Sequence, residues 1–169
     1  MKNPSDTTTP SGRRVAKELA ASNGFLLARL GLKFKARAMS RLEQAGFELY
    51  DYSVLALLAE GVRERQSAMA DALALDPSRL VALLDSLERR GLVVRQRDPD
   101  DRRRHVVRIT DAGEQALARL REMSAQLEDE FFAPLDPTCR KAFHELLLQL
   151  AVHNDARGAF GPAEAPSAN

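Results

Sequence analysis

Apolar residues recur at helical spacing along most of the chain, and the period changes only once. A long amphipathic stretch from Arg13 to Gln44 carries Val15, Leu19, Leu26, Leu27, Leu30, Leu32, Phe34, Met39 and Leu42, with Gly24 and Gly31 as the expected points of bending. Asp51 is placed to cap a short helix, Tyr52 to Glu60, closed by Gly61, and Gln66 opens another that ends near Leu73. Asp76-Pro77 then supplies a capping acceptor followed by proline at the first helical position. The helix it starts runs to Arg90, with Gly91 just past its end.

After Gly91 the period becomes two. Leu92, Val94 and Gln96 alternate with Val93, Arg95 and Arg97, then Asp98-Pro99-Asp100-Asp101 forms a turn, then His105, Val107 and Ile109 alternate with Val106 and Arg108. This is a hairpin with arginines at its tip. Thr110 or Asp111 can cap a last pair of helices, about 111–132 and 136–153, separated by Pro134 and Pro137. The expected fold is therefore mostly α with a small β-hairpin.

Both ends lack the apolar density to fold: 1–12 is rich in Ser, Thr and Pro, and 154–169 in Ala, Gly and Pro, so both are expected to be disordered tails. With 169 residues in all, the part between them, 13–153, suits a single domain. No run of 18 apolar residues and no apolar leader occurs, so the chain is read as cytoplasmic, with no membrane partner. A single cysteine, Cys139, rules out an intrachain disulfide and a thiolate zinc cluster. His105, His144 and His153 have no ligand spacing, so neither a metal nor another cofactor is expected. No phosphate loop, nucleophile elbow or helix-borne His-Glu-x-x-His occurs, and nothing in the chain argues for an enzyme.

The net charge of +1 hides a strong segregation. Residues 1–50 carry 9 Lys/Arg against 4 Asp/Glu, 51–88 carry 3 against 7, 89–108 carry 8 against 3, and 109–169 carry 5 against 10. All eight basic residues of 89–108 are arginine. A guanidinium reads phosphates and groove edges with a fixed fork of donors, so a local arginine patch on a near-neutral chain suggests a nucleic-acid footprint. A solvated charged hairpin is the alternative.

Helix, turn, helix, hairpin is the order of a winged helix-turn-helix, whose second helix enters the major groove while the hairpin lies over the backbone and minor groove. In the candidate recognition helix, 77–90, Leu83, Leu84 and Leu87 fall within about 60° of Leu80 at helical spacing and mark the buried stripe. Ser78, Ala82, Asp85 and Arg89 point away from it, with Arg79 and Val81 on the flanks. Ser78, Arg79, Val81 and Ala82 are then best placed to meet bases: Arg79 can fork onto guanine, and Val81 and Ala82 can touch a thymine methyl. Gln66 and Ser67, opening the preceding helix, can donate to phosphate, and Arg89 and Arg97 complete the basic surface.

The stretches Gln66-Ser67-Ala68-Met69-Ala70-Asp71-Ala72-Leu73, Asp76-Pro77-Ser78, Leu87-Glu88-Arg89-Arg90-Gly91-Leu92-Val93, Arg97-Asp98-Pro99-Asp100-Asp101-Arg102-Arg103 and Ile109-Thr110-Asp111-Ala112-Gly113 resemble the MarR family of bacterial transcriptional regulators. The resemblance is strong over 53–116. It implies a winged helix-turn-helix at about 51–110 and dimerisation helices at about 13–44 and 111–153. It also implies a homodimer that binds a pseudo-palindromic operator in double-stranded DNA as a repressor. The family's wing motif Asp-x-Arg falls on Asp101 and Arg103. The resemblance implies that the arginine enters the minor groove, held by the aspartate, between its neighbours Arg102 and Arg104. A narrow minor groove concentrates negative potential, and a paired carboxylate limits the rotamers the arginine must give up. Val81 and Ala82 stand where similar proteins often have a hydroxyl and a basic residue, so specificity is expected to rest more on Arg79, the wing and DNA shape.

The resemblance further implies a crevice for a small aromatic or phenolic effector, where Lys33, Lys35, Arg37 and Tyr52 are the candidates from this chain. Two other functions stand beside this one: a winged-helix module for protein interaction, and a regulator sensing oxidants through Cys139.

Overall fold

The structure, a computed structural model, describes residues 14–60, 66–97 and 105–155. In chain order these form α1 (Lys17–Ala20), α2 (Asn23–Gln44), α3 (Asp51–Ala59), α4 (Gln66–Ala72), α5 (Pro77–Arg89), β1 (Val93–Arg97), β2 (His105–Ile109), α6 (Asp111–Phe131) and α7 (Pro137–Asn154). The expected mostly helical architecture with one hairpin is present. The expected N-terminal tail, the hairpin tip and all but the first two residues of the expected C-terminal tail lie outside the described residues, and Asn154, expected in that tail, instead ends α7. The chain divides into two compact units, one up to Arg37 and one from Ala38 onward, with the boundary inside α2.

In the first unit the long N-terminal helix is not continuous. It breaks at Ala21–Ser22, whereas Gly24 and Gly31, the expected bends, lie within α2. Serine causes the break: the Ser22 hydroxyl accepts the Phe25 N–H at 3.3 Å, so the side chain starts a new helix at the point where the old one stops. Arg29 stacks over Phe25 one turn on.

The second unit holds the core. α3 contributes Val54 and Leu55, α4 Met69 and Ala70, α5 Leu80, Leu84 and Leu87, the hairpin base Leu92 and Val93, and α6 Ala116, Leu117 and Leu120. All four leucines of the expected α5 stripe, Leu80, Leu83, Leu84 and Leu87, are buried. Burying a leucine is worth about 2 kcal/mol, so this stripe fixes the rotation of α5 about its axis.

Two expected caps work differently. Asp76 sits at the N-cap of α5, but its side chain makes no capping bond. The amide it would reach, Arg79 N–H, is already taken at 3.0 Å by the Asp76 carbonyl. Asp51 lies inside the first turn of α3 after the N-cap Tyr50, and its carboxylate is buried. At the other end of α5 the expectation holds: Gly91 adopts φ +70°, and the Leu92 N–H reaches back to the Leu87 carbonyl at 2.9 Å.

β1 and β2 pair antiparallel, Val93 opposite Ile109, Arg95 opposite Val107 and Arg97 opposite His105. Val93, Arg95, Val107 and Ile109 share one face, and at its base Val93 and Ile109 belong to or pack on the core. Burial declines along β1 toward the tip instead of alternating. Thr110 then joins the hairpin to α6. Its hydroxyl donates to the Gly91 carbonyl at 2.7 Å and accepts the Gly113 N–H at 3.1 Å, while its own N–H reaches the Leu92 carbonyl. α6 approaches so closely here that a Cβ on Gly113 would lie 2.1 Å from the Leu92 carbonyl oxygen and 2.7 Å from an Ile109 methylene.

The corner between α6 and α7 is held by Arg140. Its guanidinium donates to the Phe132 and Leu135 carbonyls and, at 2.8 Å, to Asp129. Asp136 caps α7 by accepting the Cys139 N–H at 2.9 Å, a bond that lowers the carboxyl pKa below its ordinary value. α6 buries Gly113, Ala116, Leu117, Leu120 and Leu127, whereas no residue of α7 is buried.

The Gly113 contact generates a stability prediction. Gly113→Ala forces a methyl group against backbone and should cost about 1–3 kcal/mol, the usual range for overpacking. Thermal unfolding followed by circular dichroism measures it, and an unchanged midpoint would show that the α6 seat is not rigid.

Candidate nucleic-acid interface

α4, the turn at 73–76 and α5 form a helix-turn-helix, and the hairpin follows directly. Within it, Ser78, Arg79, Val81, Ala82 and Arg89 are all exposed, Ser78, Ala82 and Arg89 on the side of α5 opposite its buried leucines and Arg79 and Val81 on its flanks, and Arg97 is exposed on the hairpin. Gln66 and Ser67 open α4, where the backbone is described but the side chains are not. Asp101, Arg102, Arg103 and Arg104 lie outside the described residues.

The arginines expected to form one basic surface are divided among different tasks. Arg79 lies with its guanidinium carbon 5.0 Å above the Tyr50 ring. Arg89 donates its Nε to the Asp85 carbonyl one turn back. Arg90 is committed to the interior of the unit: it donates to Asp51 Oδ2 at 2.6 Å and to the Gly46 carbonyl at 3.1 Å, and stacks over Phe47 at 5.1 Å. Asp51 Oδ2 also accepts the Glu48 N–H at 2.9 Å. The end of α2, the start of α3 and the end of α5 are thereby tied together.

Arg95 makes the other set of bonds. Its backbone N–H donates to Glu88 Oε1 at 3.1 Å, its Nη1 to Glu88 Oε2, and its Nη2 to Asp85 Oδ1. The hydrogen bond to Asp85 is the main reason its pKa lies above the ordinary arginine value. Sequence reasoning counted Arg90 and Arg95 as part of the basic patch, whereas both are paired with acidic residues of their own chain. One signal was available for Arg95: it lies two residues beyond Val93 in a strand, hence on the same face.

The effector candidates fall in both units. Lys33, Lys35 and Arg37 are exposed in the first, and Tyr52 is half-buried against the core of the second. Cys139 is exposed in the first turn of α7. Among the described residues no cluster of His, Cys, Asp and Glu could hold a metal ion, and no helix is long and apolar enough to cross a membrane.

The fold and the exposed face of α5 define a winged helix-turn-helix protein. A MarR family model matches residues 49–105. FarR, an HTH-type transcriptional regulator of Neisseria gonorrhoeae, is 30% identical over 142 residues, covering 83% of this chain and 95% of FarR. A putative transcriptional regulatory protein for the hcr operon of Thauera aromatica is 36% identical over 99 residues, which span 60% of that relative. Among solved structures, the transcriptional repressor CouR bound to a 23-mer DNA duplex superposes with a TM-score of 0.73 at 32% identity, covering 83% of this chain and 99% of CouR. CouR from Rhodococcus jostii RHA1 bound to p-coumaroyl-CoA gives 0.69 at 31% identity, covering 80% and 96%. The chain belongs to the MarR family of transcriptional regulators.

The Asp51–Arg90 pair generates a prediction. Asp51 has no exposed surface, while the Arg90 side chain is 30% exposed. Arg90→Met leaves the buried carboxylate without its counter-charge and should cost about 2–4 kcal/mol, toward the lower end for breaking a buried pair because solvent reaches the arginine. Urea unfolding of Arg90→Met and of the double variant with Asp51→Asn measures it. The double variant should recover part of the loss, and equal instability of the two would refute the account.

Proposed function

We propose that this chain is a repressor that binds a pseudo-palindromic operator as a homodimer. In this reading α5 enters the major groove with Ser78, Arg79, Val81 and Ala82 toward the bases. Gln66, Ser67 and Arg89 lie on phosphates, and Arg97 with Asp101, Arg102, Arg103 and Arg104 on the wing reaches the minor groove and its backbone. Residues 51–110 are the DNA-binding part, 13–44 and 111–153 the dimerisation part, and 1–12 and 154–169 tails. The observation that carries this is the first half of α5. Its side chains are exposed opposite a fully buried leucine stripe, in a chain that matches DNA-bound CouR along nearly the whole of that structure. Arg79 fits the role although it rests on Tyr50: an exposed cation–π contact is worth about 0.5–1 kcal/mol, against about 1–3 kcal/mol for a forked contact to guanine.

The experiment is fluorescence anisotropy on duplexes selected from a random 30-base-pair pool by the full-length protein, at two salt concentrations. Affinity should fall steeply with salt, and Arg103→Ala should weaken binding by at least about fivefold, near 1 kcal/mol, most of all on A/T-flanked sites. A salt-insensitive interaction, or no selected duplex, would favour the protein-interaction reading, and a loss below twofold would remove Arg103 from the groove.

Exposed apolar residues support the dimer. Leu32 is 70% exposed in the first unit, and α7 exposes Leu146, Leu148, Leu150 and Val152, with Leu146 at 58%. Leucines left in water over two helices are expected where a second copy covers them. Light scattering at micromolar concentration should give twice the chain mass of 18.7 kDa, and a stable monomer would overturn the proposal.

CouR has been solved with p-coumaroyl-CoA, which supports a small aromatic acid or its thioester as effector here, with Lys33, Lys35 and Arg37 of the first unit suited to its negative charge. Such a ligand releases DNA only as far as it prefers the DNA-free form.

A further inference from the structure

We propose that Arg95 is a masking and positioning residue. It neutralises Asp85 and Glu88, the two carboxylates that α5 would otherwise present to DNA phosphates, and so holds the wing to the recognition helix. This rests on the DNA-binding reading above.

Asp85 lies one turn beyond Ala82, about 60° from it around the helix, and so on the face offered to the groove. Its side chain is 51% exposed. Glu88 follows on the flank nearer β1 and is 35% exposed. Carboxylates there would stand within a Debye length, roughly 8–10 Å, of a row of phosphates and oppose binding. Arg95 reaches both from the neighbouring strand. It can do so because β1 places it on the same face as the core residue Val93, so the guanidinium is directed at α5, and only 27% of the side chain is exposed. One guanidinium nitrogen goes to each carboxylate, and the backbone N–H adds a bond to Glu88. A lysine could not fork in this way. Three bonds between residues 85, 88 and 95 also fix the direction in which the hairpin leaves α5, and therefore where its tip meets DNA. The eight arginines of 89–108 are thus not eight phosphate contacts: this one prepares the surface on which the others act.

The test is a mutant cycle on DNA affinity in the full chain, with Arg95→Met and Asp85→Asn/Glu88→Gln made separately and together. Affinities are read on duplexes selected from a random pool by the parent and on a random duplex of equal length. Each variant is corrected for its active fraction by stoichiometric titration. Arg95→Met should weaken binding at least tenfold in the parent and by less than twofold once both carboxylates are neutral. The same loss in both backgrounds would make Arg95 a direct phosphate contact and overturn the proposal, as would no loss in either. Should Arg95→Met not fold, Arg95→Lys carries the same comparison, with at least a threefold loss in the parent and none in the neutralised background. If the parent itself binds no duplex, the DNA reading fails and the masking role with it. If the parent binds and the cycle shows no coupling, only the masking role fails.

Discussion

A charged group without exposed surface holds the second unit in register. Taking a carboxylate out of water costs several kcal/mol, and that cost is recovered only where donors are fixed in place around it. Asp51 has two such donors, the Glu48 amide and the Arg90 guanidinium, and its other oxygen, Oδ1, is buried with no hydrogen-bond partner among the described residues. Arg90 is fixed in turn by the Gly46 carbonyl and the Phe47 ring, and Gly46 holds a φ of +77° that few other residues tolerate. The turn after α2, the first turn of α3 and the C-cap of α5 therefore converge on one carboxylate. Separating any of them would strand a charge in the interior. The position of α5 depends on this pair at one end as much as on its leucines along the length.

Three arginines of the second unit, Arg90, Arg95 and Arg79, have different environments, and the geometry of the side chain explains the division. At Arg90 the fork joins a buried acid to a backbone carbonyl. At Arg95 it joins two acids on a neighbouring helix. At Arg79 the guanidinium lies over the Tyr50 ring, a contact made with an aromatic face and not with a carboxylate. The first two are committed to the fold by strong, charge-assisted bonds. The third is held weakly, and it is the one at the N-terminal, outward part of α5. The strength of each attachment thus sorts arginines of similar sequence surroundings into structural and available ones.

That sorting was not legible in the sequence, and the reason is physical. Pro77 and Gly91 located α5 to within one residue, and hydrophobic periodicity named all four of its buried leucines, because burial is a property of position on a helix and needs no partner to be known. The change of period after Gly91 located the hairpin for the same reason. Ion pairs depend on where a second element lies. Arg90 and Asp51 are 39 residues apart, and helical spacing, which turns Arg89 outward and Arg90 to a flank, does not reveal the acid that Arg90 meets. The break at Ser22 was missed because glycine was weighed as the source of flexibility, while a serine hydroxyl competing for a backbone amide is the stronger local cause. The caps at Asp51 and Asp76 were misread because a capping residue type does not reveal whether its amide is already bonded, or whether a distant arginine will claim its carboxylate.

These attachments restrict how such a protein could be regulated. Within the second unit α5 is anchored at its end by Arg90, along its length by the leucine stripe, and to the wing through Arg95. A ligand that acted by tilting α5 inside this body would have to break a buried pair or open the core, at several kcal/mol, whereas a tenfold change in DNA affinity requires only about 1.4 kcal/mol. Two copies on a palindrome must hold their recognition helices about one turn of DNA apart, near 34 Å, and that spacing is a property of the pairing and not of either body. The apolar residues exposed on α2 and α7 take no part in those ion pairs. For a dimer built on them, small shifts in the pairing would change the spacing without touching Asp51, Arg90 or Arg95. For such a dimer the least costly route from an effector to an operator would therefore run through the placement of the two copies relative to each other.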